Sequence, residues 1–441
     1  MKNGRIDKQH IVLIGGGFAG LNFLKELHNN RYYRITLIDK NNYNYFTPLL
    51  YQVATGFLEP ASISYPFRKL LQGTDIRFRM ATVKSVDTVS QRVLLNDGGS
   101  IGYDILVFAA GTKTNFFGNR DIQQNASSLK GIGDALHLRN ELIRVLESAS
   151  QEKDLTERRK KLTVVIAGGG PTGVEVAGML AEMKESIIKR EYPELKNETL
   201  SVYVIDGAPV LLTAMSDKTH TAAYKILKRI GVNIVLNAQV LRYEDDVVYL
   251  SNGQTIQTQT LIWAAGVVAN KFNGIAKTSL GRGNRMATDE YGLVVGYENV
   301  YAIGDIGIQH GDSRYPNGHP QLAQPAIQQG RTLAKNLIRL AKRKTLKPFS
   351  YFDRGDMAII GRKYAVADLF KHRLHLGGLL GLLSWLFIHL ISLVSYNNKI
   401  KTLYSWAVAY LTADQSLRMI FKAGKNEHHD ERSKIEEFHE V

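Results

Sequence analysis

Residues 10–20 read HIVLIGGGFAG, an apolar β-branched run that ends in a glycine-rich turn. A second stretch, residues 162–173, reads LTVVIAGGGPTG and repeats the same design. Both have G-x-G-x-x-G spacing, in which glycine permits a sharp turn and lets a pyrophosphate approach the backbone. A helix that starts at such a turn directs free N–H groups and its dipole at the anion. Two turns predict two nucleotides, and two nucleotides suggest electron transfer between them.

An acidic residue after each turn strengthens this prediction, because a carboxylate at the end of the next strand binds ribose hydroxyls. Asp39 ends the run RITLID, nineteen residues after Gly20. Asp206 ends the run LSVYVID, thirty-three residues after Gly173. The longer second spacing fits an extended helix and loop over the charged residues 185–198.

The two halves also end alike, with DILVFAAG at residues 104–111 and TLIWAAG at residues 260–266. The glycine turns are 153 residues apart and the two AAG ends 155 residues apart. Two homologous βαβ units in tandem are therefore predicted. A later strand, NVYAI at residues 299–303, runs into Gly304 and Asp305, which can aim a carboxylate at a cofactor's polyol chain. An ordinary type I turn is the alternative there.

Length and composition narrow the class of protein. The 441 residues allow about three domains, and the apolar fraction of 44% is ample for a core. The chain has no cysteine, which excludes disulfides, thiolate metal sites and dithiol redox chemistry; no metal site is predicted. The net charge is +15, but no nucleic-acid-binding signature is present, so an anionic membrane surface or dinucleotide substrates explain it better. The N-terminus has no apolar segment typical of a signal peptide.

The C-terminal third has two apolar segments. Residues 374–396 contain no Lys, Arg, Asp or Glu, and a helix of that length would span roughly 34 Å, enough for a bilayer. Early glycines, two histidines and basic residues at both ends weaken the transmembrane interpretation. In the next segment one helical face is mostly apolar, which favours a helix lying in the membrane interface over one packed on the core. That face comprises Leu403, Trp406, Ala407, Tyr410, Leu417, Ile420 and Phe421.

Three further segments resemble those of the type II, non-proton-pumping NADH:quinone oxidoreductases, a family of two-dinucleotide-binding-domain flavoproteins. The segment NYNYFTPLLYQVATG at residues 42–56 is similar to the family's segment near the flavin ring. AQPAIQQG at residues 323–330 resembles its AQxAxQxG quinone-site motif. WLFIHL at residues 385–390, followed by Asn398 and Lys399, resembles its C-terminal quinone-site helix. The resemblance covers nearly the whole chain.

The resemblance implies an α/β fold of two tandem Rossmann-like dinucleotide-binding domains plus a C-terminal membrane-associating helical region. It assigns residues 1–118 and 275–345 to an FAD domain, 119–274 to an NADH domain and 346–441 to the quinone site and membrane anchor. FAD would contact Gly15, Gly17, Phe18, Ala19, Gly20, Asp39, Lys40, Thr47, Val83, Ala110, Gly111 and Asp305. NADH would contact Gly168, Gly170, Pro171, Thr172, Gly173, Asp206, Ala265 and Gly266.

Four residues are predicted to be catalytic. Glu175 is expected in the first turn of the second helix, where the helix dipole alone can stabilise a carboxylate; the resemblance implies a role in proton delivery. Gln324 and Gln328 are one helical turn apart and could bond the quinone carbonyls. Lys399 could place a cation near the quinol oxygen, although an interfacial lysine is the alternative. His389 is not predicted to be catalytic.

The expected partners are a membrane quinone, either menaquinone or ubiquinone, and an anionic lipid surface at the cytoplasmic face of a bacterial inner membrane, with a homodimer left open. Asp206, where many relatives carry Glu, would repel a 2′-phosphate and so favours NADH over NADPH. The main alternative is a soluble NADH-dependent flavin reductase that serves a small redox protein. A sulfide:quinone oxidoreductase would need cysteines, and a non-enzymatic signalling flavoprotein would bind FAD without turnover.

Overall fold

Alternating strands and helices dominate residues 8–370, 373–412 and 419–420, which are the residues described by the computed structural model. The strands are β1 (Gln9–Ile14), β2 (Tyr33–Asp39), β3 (Tyr43–Tyr45), β4 (Ser64–Pro66), β5 (Arg77–Met80), β6 (Val83–Asp87), β7 (Arg92–Leu95), β8 (Ser100–Gly102), β9 (Ile105–Phe108), β10 (Thr112–Thr114), β11 (Ser127–Ser128), β12 (Thr163–Ala167), β13 (Ser201–Ile205), β14 (Val232–Val235), β15 (Val240–Glu244), β16 (Val247–Leu250), β17 (Thr255–Gln257), β18 (Thr260–Trp263), β19 (Val267–Ala269), β20 (Met286–Thr288), β21 (Val300–Ala302), β22 (Gly307–Gln309), β23 (Gly355–Ile360), β24 (Tyr364–Leu369) and β25 (Leu374–Gly377). The α-helices are α1 (Phe18–Leu27), α2 (Leu50–Ala54), α3 (Pro60–Ile63), α4 (Phe67–Leu70), α5 (Arg120–Asn125), α6 (Ile132–Gln151), α7 (Leu155–Lys161), α8 (Pro171–Met183), α9 (Lys189–Glu191), α10 (Asp217–Arg229), α11 (Ala323–Ala341), α12 (Gly378–Ser392) and α13 (Tyr396–Thr412).

Two five-stranded parallel sheets have the same design. The first has the order β21-β9-β1-β2-β5, and the second has the order β11-β18-β12-β13-β14. In each, the strand before the glycine turn is central: β1 lies between β9 and β2, and β12 lies between β18 and β13. Both turns therefore open at the carboxyl edge of a parallel sheet, where nucleotides bind in doubly wound folds. The predicted tandem α/β fold is confirmed.

Smaller sheets connect and cover these two units. β10 and β19, which follow the two AAG ends, pair antiparallel with Thr112 opposite Ala269, so the two halves are joined directly after their cofactor-facing strands. Antiparallel β6-β7-β8 and β15-β16-β17 sheets accompany the first and second halves. β21 returns from late in the chain to the first sheet. The domain boundaries given above stay predictions.

The C-terminal region begins with the antiparallel sheet β23-β24-β25, on which α12 packs. Residues 374–396 contain a strand, β25, and the 15-residue helix α12 rather than one long helix. Among the described residues, no helix has both the length and the apolarity needed to cross a bilayer. Gly378, at the junction of β25 and α12, has φ +61°, a conformation that favours glycine. Gly381 lets α12 approach β24, because a Cβ there would lie 2.6 Å from the Ala365 carbonyl oxygen.

The packing of α13 agrees with the prediction only in part. Leu403 and Ala407 of the predicted apolar face are exposed, as a helix in the membrane interface requires, whereas Trp406 of that face is buried together with Asn398, Thr402 and Ala409. Polar Asn398 and Thr402 face inward because their side chains donate to backbone carbonyl groups of α3 and its flanks. The predicted face also included Leu417 and Phe421, which lie outside the described residues.

Candidate active site

The first glycine turn is built by close backbone contacts. Gly15 has φ +100°, and a Cβ there would lie 2.5 Å from the Ala109 carbonyl oxygen. A Cβ on Gly20 would lie 2.0 Å from the Gly15 carbonyl oxygen. Gly17, by contrast, has no atom of the described residues within 4 Å of the position its Cβ would take. The protein thus leaves open space above Gly17, at the start of α1, where helix N–H groups lack intrahelical partners.

The second turn repeats this geometry. Gly168 has φ +114° and would place a Cβ 2.5 Å from the Ala264 carbonyl oxygen. A Cβ on Gly173 would lie 1.8 Å from the Gly168 carbonyl oxygen, whereas one on Gly170 would meet no atom within 4 Å in the part of the chain that the structure describes. Pro171 begins α8, where its missing N–H costs no helical hydrogen bond.

The two predicted aspartates brace the turns in the same way. Asp39 Oδ2 accepts a 2.8 Å hydrogen bond from the Gly16 backbone N–H, and Asp206 Oδ2 accepts one of 2.5 Å from Gly169. Burial raises the pKa of Asp39, opposed by the N–H groups of Gly16 and Asn41 and by Lys40. Each carboxylate therefore lies beside its open glycine turn, as ribose recognition requires.

Asp305 lies beyond β21 on a 3₁₀ turn that begins at Gly304, whose φ is +75°. Burial raises the pKa of Asp305, and the cations Lys130 and Arg285 and the Thr112 hydroxyl counteract it. The Gly304 N–H donates to Gln329 Oε1 at 2.7 Å. A half-buried carboxylate held near two cations can accept hydrogen bonds from a polyol, which is the role predicted for it.

These features fit FAD at the first turn. The space above Gly17, the braced carboxylate of Asp39 and the half-buried Asp305 correspond to pyrophosphate, ribose and polyol groups in turn. The remaining predicted FAD and NADH contacts lie in the following elements. Thr47 opens a 3₁₀ turn, Val83 opens β6, Ala110 and Gly111 follow β9, and Ala265 and Gly266 follow β18.

Glu175 is the fifth residue of α8, so it lies in the second turn and not in the first turn as predicted. The helix dipole is therefore not what stabilises it, because that effect falls off within one turn. Its side chain is buried, with 7% exposed. Burial raises its pKa well above the ordinary value, and the backbone of Ile359 on β23 opposes that rise. A buried carboxyl that holds its proton at neutral pH can act as a general acid.

The two predicted glutamines have different surroundings. Gln324 Nε2 donates to the Gly355 carbonyl oxygen at 2.7 Å, and its buried Oε1 has no partner among the described residues. Gln328 is tied at both ends to the Phe352 backbone, with bonds of 2.9 and 3.0 Å. Gln324 and Glu175 thus meet the same strand, β23, at residues about 13 Å apart along it. Gln324 keeps free hydrogen-bonding capacity, and Gln328 fixes the chain before β23.

Lys399 lies on α13, with its Nζ 5.4 Å from the centre of the Tyr396 ring. Together with burial and Arg331, it lowers the pKa of Lys25 on α1. Its described contacts are with α1 and its own helix, and not with Glu175 or Gln324. Lys399 lies at the edge of the C-terminal helices. This position is compatible with both interpretations given above, which are a cation near the quinol oxygen and an interfacial lysine.

Aromatic rings connect the first turn to α12. Phe18 packs edge-to-face on Phe46 at 5.7 Å, and Phe46 packs in the same way on His389 at 6.0 Å. His389 stacks on Trp385 at 3.8 Å, and its Nδ1 lies 2.8 Å from the Trp385 carbonyl oxygen. Burial lowers the pKa of His389 to about 4, so the ring is neutral at physiological pH. The segments at residues 42–56 and 385–390 therefore meet in one apolar wall.

Sequence reasoning missed several residues of this region. Lys130 and Gln329 support Asp305 and its turn. Tyr51, Gln52 and Trp406 form a buried hydrogen-bonded group beside Glu175. Gln329 lies within the AQPAIQQG segment, and Tyr51 and Gln52 lie within the segment at residues 42–56, so these three could have been noted. Their contacts with residues distant in sequence, such as Trp406, leave no local signal.

Paired glycine turns with braced aspartates and a third carboxylate on a late strand define a two-nucleotide flavoprotein oxidoreductase. Residues 9–330 match the family model described as pyridine nucleotide-disulphide oxidoreductase, and the chain belongs to that family. Because the chain has no cysteine, the disulphide chemistry in that description has no counterpart here.

Two relatives show to which group within this family the chain belongs. The chain is 34% identical to the type II NADH:quinone oxidoreductase NdhA of Mycobacterium tuberculosis, over 92% of this chain and 87% of the relative. It is 33% identical to the Ndh enzyme of the same organism, over 92% and 89%. The fold is similar to that of NDH2 from Plasmodium falciparum in complex with NADH, with a TM-score of 0.84, 22% identity, and coverage of 94% and 100%. The chain belongs to the type II NADH:quinone oxidoreductases.

Proposed function

We propose that this protein oxidises NADH and reduces a quinone at a membrane surface, without pumping protons. The observation that carries the proposal is the shared strand β23, which has Glu175 near Ile359 and, near Gly355, the Gln324 amide whose oxygen has no partner in the described part of the chain. A protonated carboxyl and an amide with free bonding capacity suit a substrate that gains protons at two oxygens. α12 of the C-terminal region contacts β23 directly.

The first half holds FAD and the second half binds NADH in this proposal. FAD, when bound, supplies the chemistry: it takes two electrons from NADH and passes them to the quinone. The two pyrophosphates occupy the open space above Gly17 and Gly170. The carboxylates of Asp39 and Asp206 accept hydrogen bonds from the ribose hydroxyls. The carboxylate of Asp206 disfavours a 2′-phosphate, so NADH is preferred to NADPH.

The reaction balances as NADH, one proton and quinone giving NAD⁺ and quinol. One proton must therefore come from outside NADH, and Glu175 is the proposed donor. Burial raises the pKa of this carboxyl and so favours its protonated form. The second amide hydrogen of Gln324 is free for a quinone carbonyl, and its Oε1 is free to accept from a quinol hydroxyl. Gln328 orients the segment before β23, and Lys399 supplies a cation at the edge of the C-terminal helices.

An exposed apolar surface supports membrane attachment. We call it the apolar face of α12 and α13. Its rim carries Lys399 and Lys401, and basic residues suit an anionic lipid surface. Exposed apolar area of this extent marks an interaction site. The residues of the apolar face are Leu379, Leu380, Leu383, Phe387, Ile388 and Ile391 on α12, and Tyr396, Ile400, Leu403, Tyr404 and Leu411 on α13. We propose the cytoplasmic face of a bacterial inner membrane as its location; a homodimer stays a prediction from the family resemblance.

The enzymatic proposal is tested with detergent-purified protein. NADH and NADPH are offered with menaquinone and ubiquinone analogues while flavin absorbance is recorded. We expect co-purifying flavin, reduction of the flavin by NADH and reoxidation by at least one quinone. Protein without bound flavin would overturn the scheme, and flavin reduced by NADH but reoxidised only by a small redox protein would favour the flavin reductase.

Attachment is tested by sedimentation with vesicles that contain anionic phospholipid. Leu383→Glu with Phe387→Glu places two charges on the apolar face and should abolish co-sedimentation. Val89→Glu is the matched control, because Val89 is 95% exposed on the turn between β6 and β7. Equal co-sedimentation of both variants would contradict the proposed surface.

A further inference from the structure

A buried chain of hydrogen bonds joins α13 to the region of Glu175. Trp406 Nε1 donates to Gln52 Oε1 at 2.8 Å, and Gln52 Nε2 donates to the Tyr51 hydroxyl at 2.9 Å. The exposed fractions of the three residues are 3%, 2% and 2%. Water therefore does not compete for these bonds, and losing any one of them would leave a buried polar group unpaired.

The direction of this chain is fixed by its first member. An indole N–H can only donate, so it requires the carbonyl oxygen of the Gln52 amide. The amide nitrogen must then face Tyr51 and donate to the phenol oxygen. The single hydrogen of the Tyr51 hydroxyl consequently points away from Gln52 and is free to donate elsewhere.

The charged groups around Tyr51 show where that hydrogen can act. Burial raises the pKa of Tyr51 well above its ordinary value; the Glu175 carboxyl on α8 and Tyr410 on α13 add to this rise, and the Gln52 bond opposes it. Tyr410 in turn is under the influence of Glu182 and Arg362. Tyr51 therefore stays a neutral hydroxyl near Glu175.

Two further elements pack against these groups. β23 presents the backbone of Ile359 to Glu175. α6, which packs on α2, carries the buried cation Arg139, and the charge that acts on Arg139 is Glu59. α2, which carries Tyr51, packs directly against α8, which carries Glu175.

We propose that Trp406 and Gln52 are positioning residues that hold the Tyr51 hydroxyl as a hydrogen-bond donor toward the Glu175 side of the site. Tyr51 is then a second proton-bearing group at the quinone end of the reaction. Trp406 of α13 thus contributes to proton delivery from within the core. Other residues of the same helix form part of the apolar face. This inference rests on the proposed function of Glu175 and extends it to three residues of α2 and α13.

A double-mutant cycle tests whether Gln52 acts through Tyr51. Gln52→Met keeps the side-chain length without its donors, and Tyr51→Phe removes the hydroxyl. Each should slow quinone-dependent flavin reoxidation about tenfold, the scale of one buried hydrogen bond, and leave anaerobic flavin reduction by NADH unchanged. The double variant should be no slower than Tyr51→Phe. Losses that multiply in the double variant would overturn the inference.

Gln52→Glu adds a second measurement, the pH dependence of flavin reoxidation, which a purely structural role of Gln52 would not change. A protonated carboxyl keeps the native direction, because it accepts from Trp406 and donates to Tyr51. An ionised carboxylate accepts from both and turns the Tyr51 hydrogen toward itself. Reoxidation by quinone in Gln52→Glu should therefore fall as pH rises, more steeply than in the wild type. A pH profile parallel to the wild type would count against the inference, and this variant carries the test if Gln52→Met fails to retain flavin.

Two controls separate the possible failures. Thr402→Val removes a bond from α13 to the Ser62 carbonyl without touching the chain, and should leave reoxidation within twofold of the wild type. The indole N–H signal of Trp406, assigned with Trp406→Phe, should shift in Gln52→Met and confirm the bond independently of activity. If Glu175→Gln leaves turnover unchanged, the proposed function of Glu175 fails; if only the double-mutant cycle is multiplicative, the positioning inference fails alone.

Discussion

The two glycine turns have nearly the same backbone but different surroundings. At the first turn Ala19 is buried, and a Cβ on Gly330 of α11 would lie 2.3 Å from its carbonyl oxygen. At the second turn the corresponding Thr172 and its neighbour Pro171 are exposed. The first site is thus covered by later parts of the chain and the second is open. A covered site suits a cofactor that stays, and an open site suits a substrate that must leave after each turnover.

The helices after the turns differ at one equivalent position. Asn22 of α1 and Glu175 of α8 stand 153 residues apart, like the turns, and each is 7% exposed. The Asn22 amide is bonded at both ends, to the Phe18 carbonyl oxygen and to Arg331 Nε. Burial raises the pKa of the Glu175 carboxyl, and the backbone hydrogen bond from Ile359 opposes that rise. The duplicated scaffold thus has a satisfied polar group in one half and a reactive group in the other.

The largest expected effect comes from equivalent glycine substitutions in the two turns. Gly20→Ala and Gly173→Ala each place a Cβ 2.0 Å or less from a carbonyl oxygen. We expect Gly20→Ala to lose flavin, and with it the stabilisation of about 4 kcal/mol that a tightly bound ligand gives. Gly173→Ala should retain flavin and lose NADH-dependent turnover at least about 100-fold. Flavin absorbance and melting temperature measure the difference.

Gly17→Ala is the control for this pair, because the protein has room for the added methyl group. It should fold and still bind flavin poorly. Normal flavin content in Gly17→Ala would show that the space above this turn is not the phosphate site.

Glu175→Gln should lower quinone-dependent turnover about 100-fold, the contribution typical of a general acid. Turnover that is unchanged across pH would refute the proton role. Stability supplies a second measurement. Because burial raises the pKa of Glu175, the folded protein keeps a proton that the unfolded chain releases, and stability falls as pH rises above the ordinary carboxyl range. Glu175→Gln should therefore raise the melting temperature more at pH 8 than at pH 5.

Asp206→Asn addresses the choice of nucleotide at the open turn. Removing the charge removes its repulsion of a 2′-phosphate, so the preference for NADH over NADPH should fall about tenfold, near 1.4 kcal/mol. One of the bonds to Gly169 and Ala208 is also lost, so the KM for NADH should rise. Ratios of kcat/KM for the two nucleotides measure the effect. An unaltered ratio would mean that the ribose lies elsewhere.

The smallest effect concerns His389 in the apolar wall formed by residues 42–56 and 385–390. Burial lowers its pKa from 6.5 to about 4, so the unfolded chain binds a proton that the folded protein does not. This contribution destabilises the protein as pH falls from 6.5 toward 4. His389→Phe keeps a stacked ring on Trp385 and should flatten this part of the stability profile. A variant whose acid sensitivity equals that of the wild type would contradict the assigned burial.

Local patterns predicted the duplicated scaffold correctly, because glycine spacing, apolar runs and strand-ending aspartates are short-range features. The buried face of α13 was not predictable in this way. Its packed face includes Asn398, which donates to three carbonyl groups of residues 61–64, and periodicity counts only apolar residues. The bond between Gln52 and Trp406 joins residues 354 apart, and no local signal marks it.

Glu175 shows the same limit within a recognised motif. The residue was identified from its place after the glycine turn, yet the prediction placed it one helical turn too early. Its burial depends on β23, because Gly178 of α8 allows that strand to approach: a Cβ there would lie 2.3 Å from the Gly361 backbone nitrogen. The chemistry of Glu175 thus depends on a contact made late in the chain.

The hydrogen bonds of α13 also bear on how this protein can be handled. Cutting the chain before Tyr396 would remove the Asn398 donor from the Ala61, Ser62 and Ser64 carbonyl groups and the indole from Gln52. Each buried group left unpaired costs about 1–3 kcal/mol, comparable with a large part of a protein's stability of about 5–15 kcal/mol. Truncation would therefore damage the fold. To prepare the protein without detergent, exposed leucines of α12 should be replaced and α13 should be left intact.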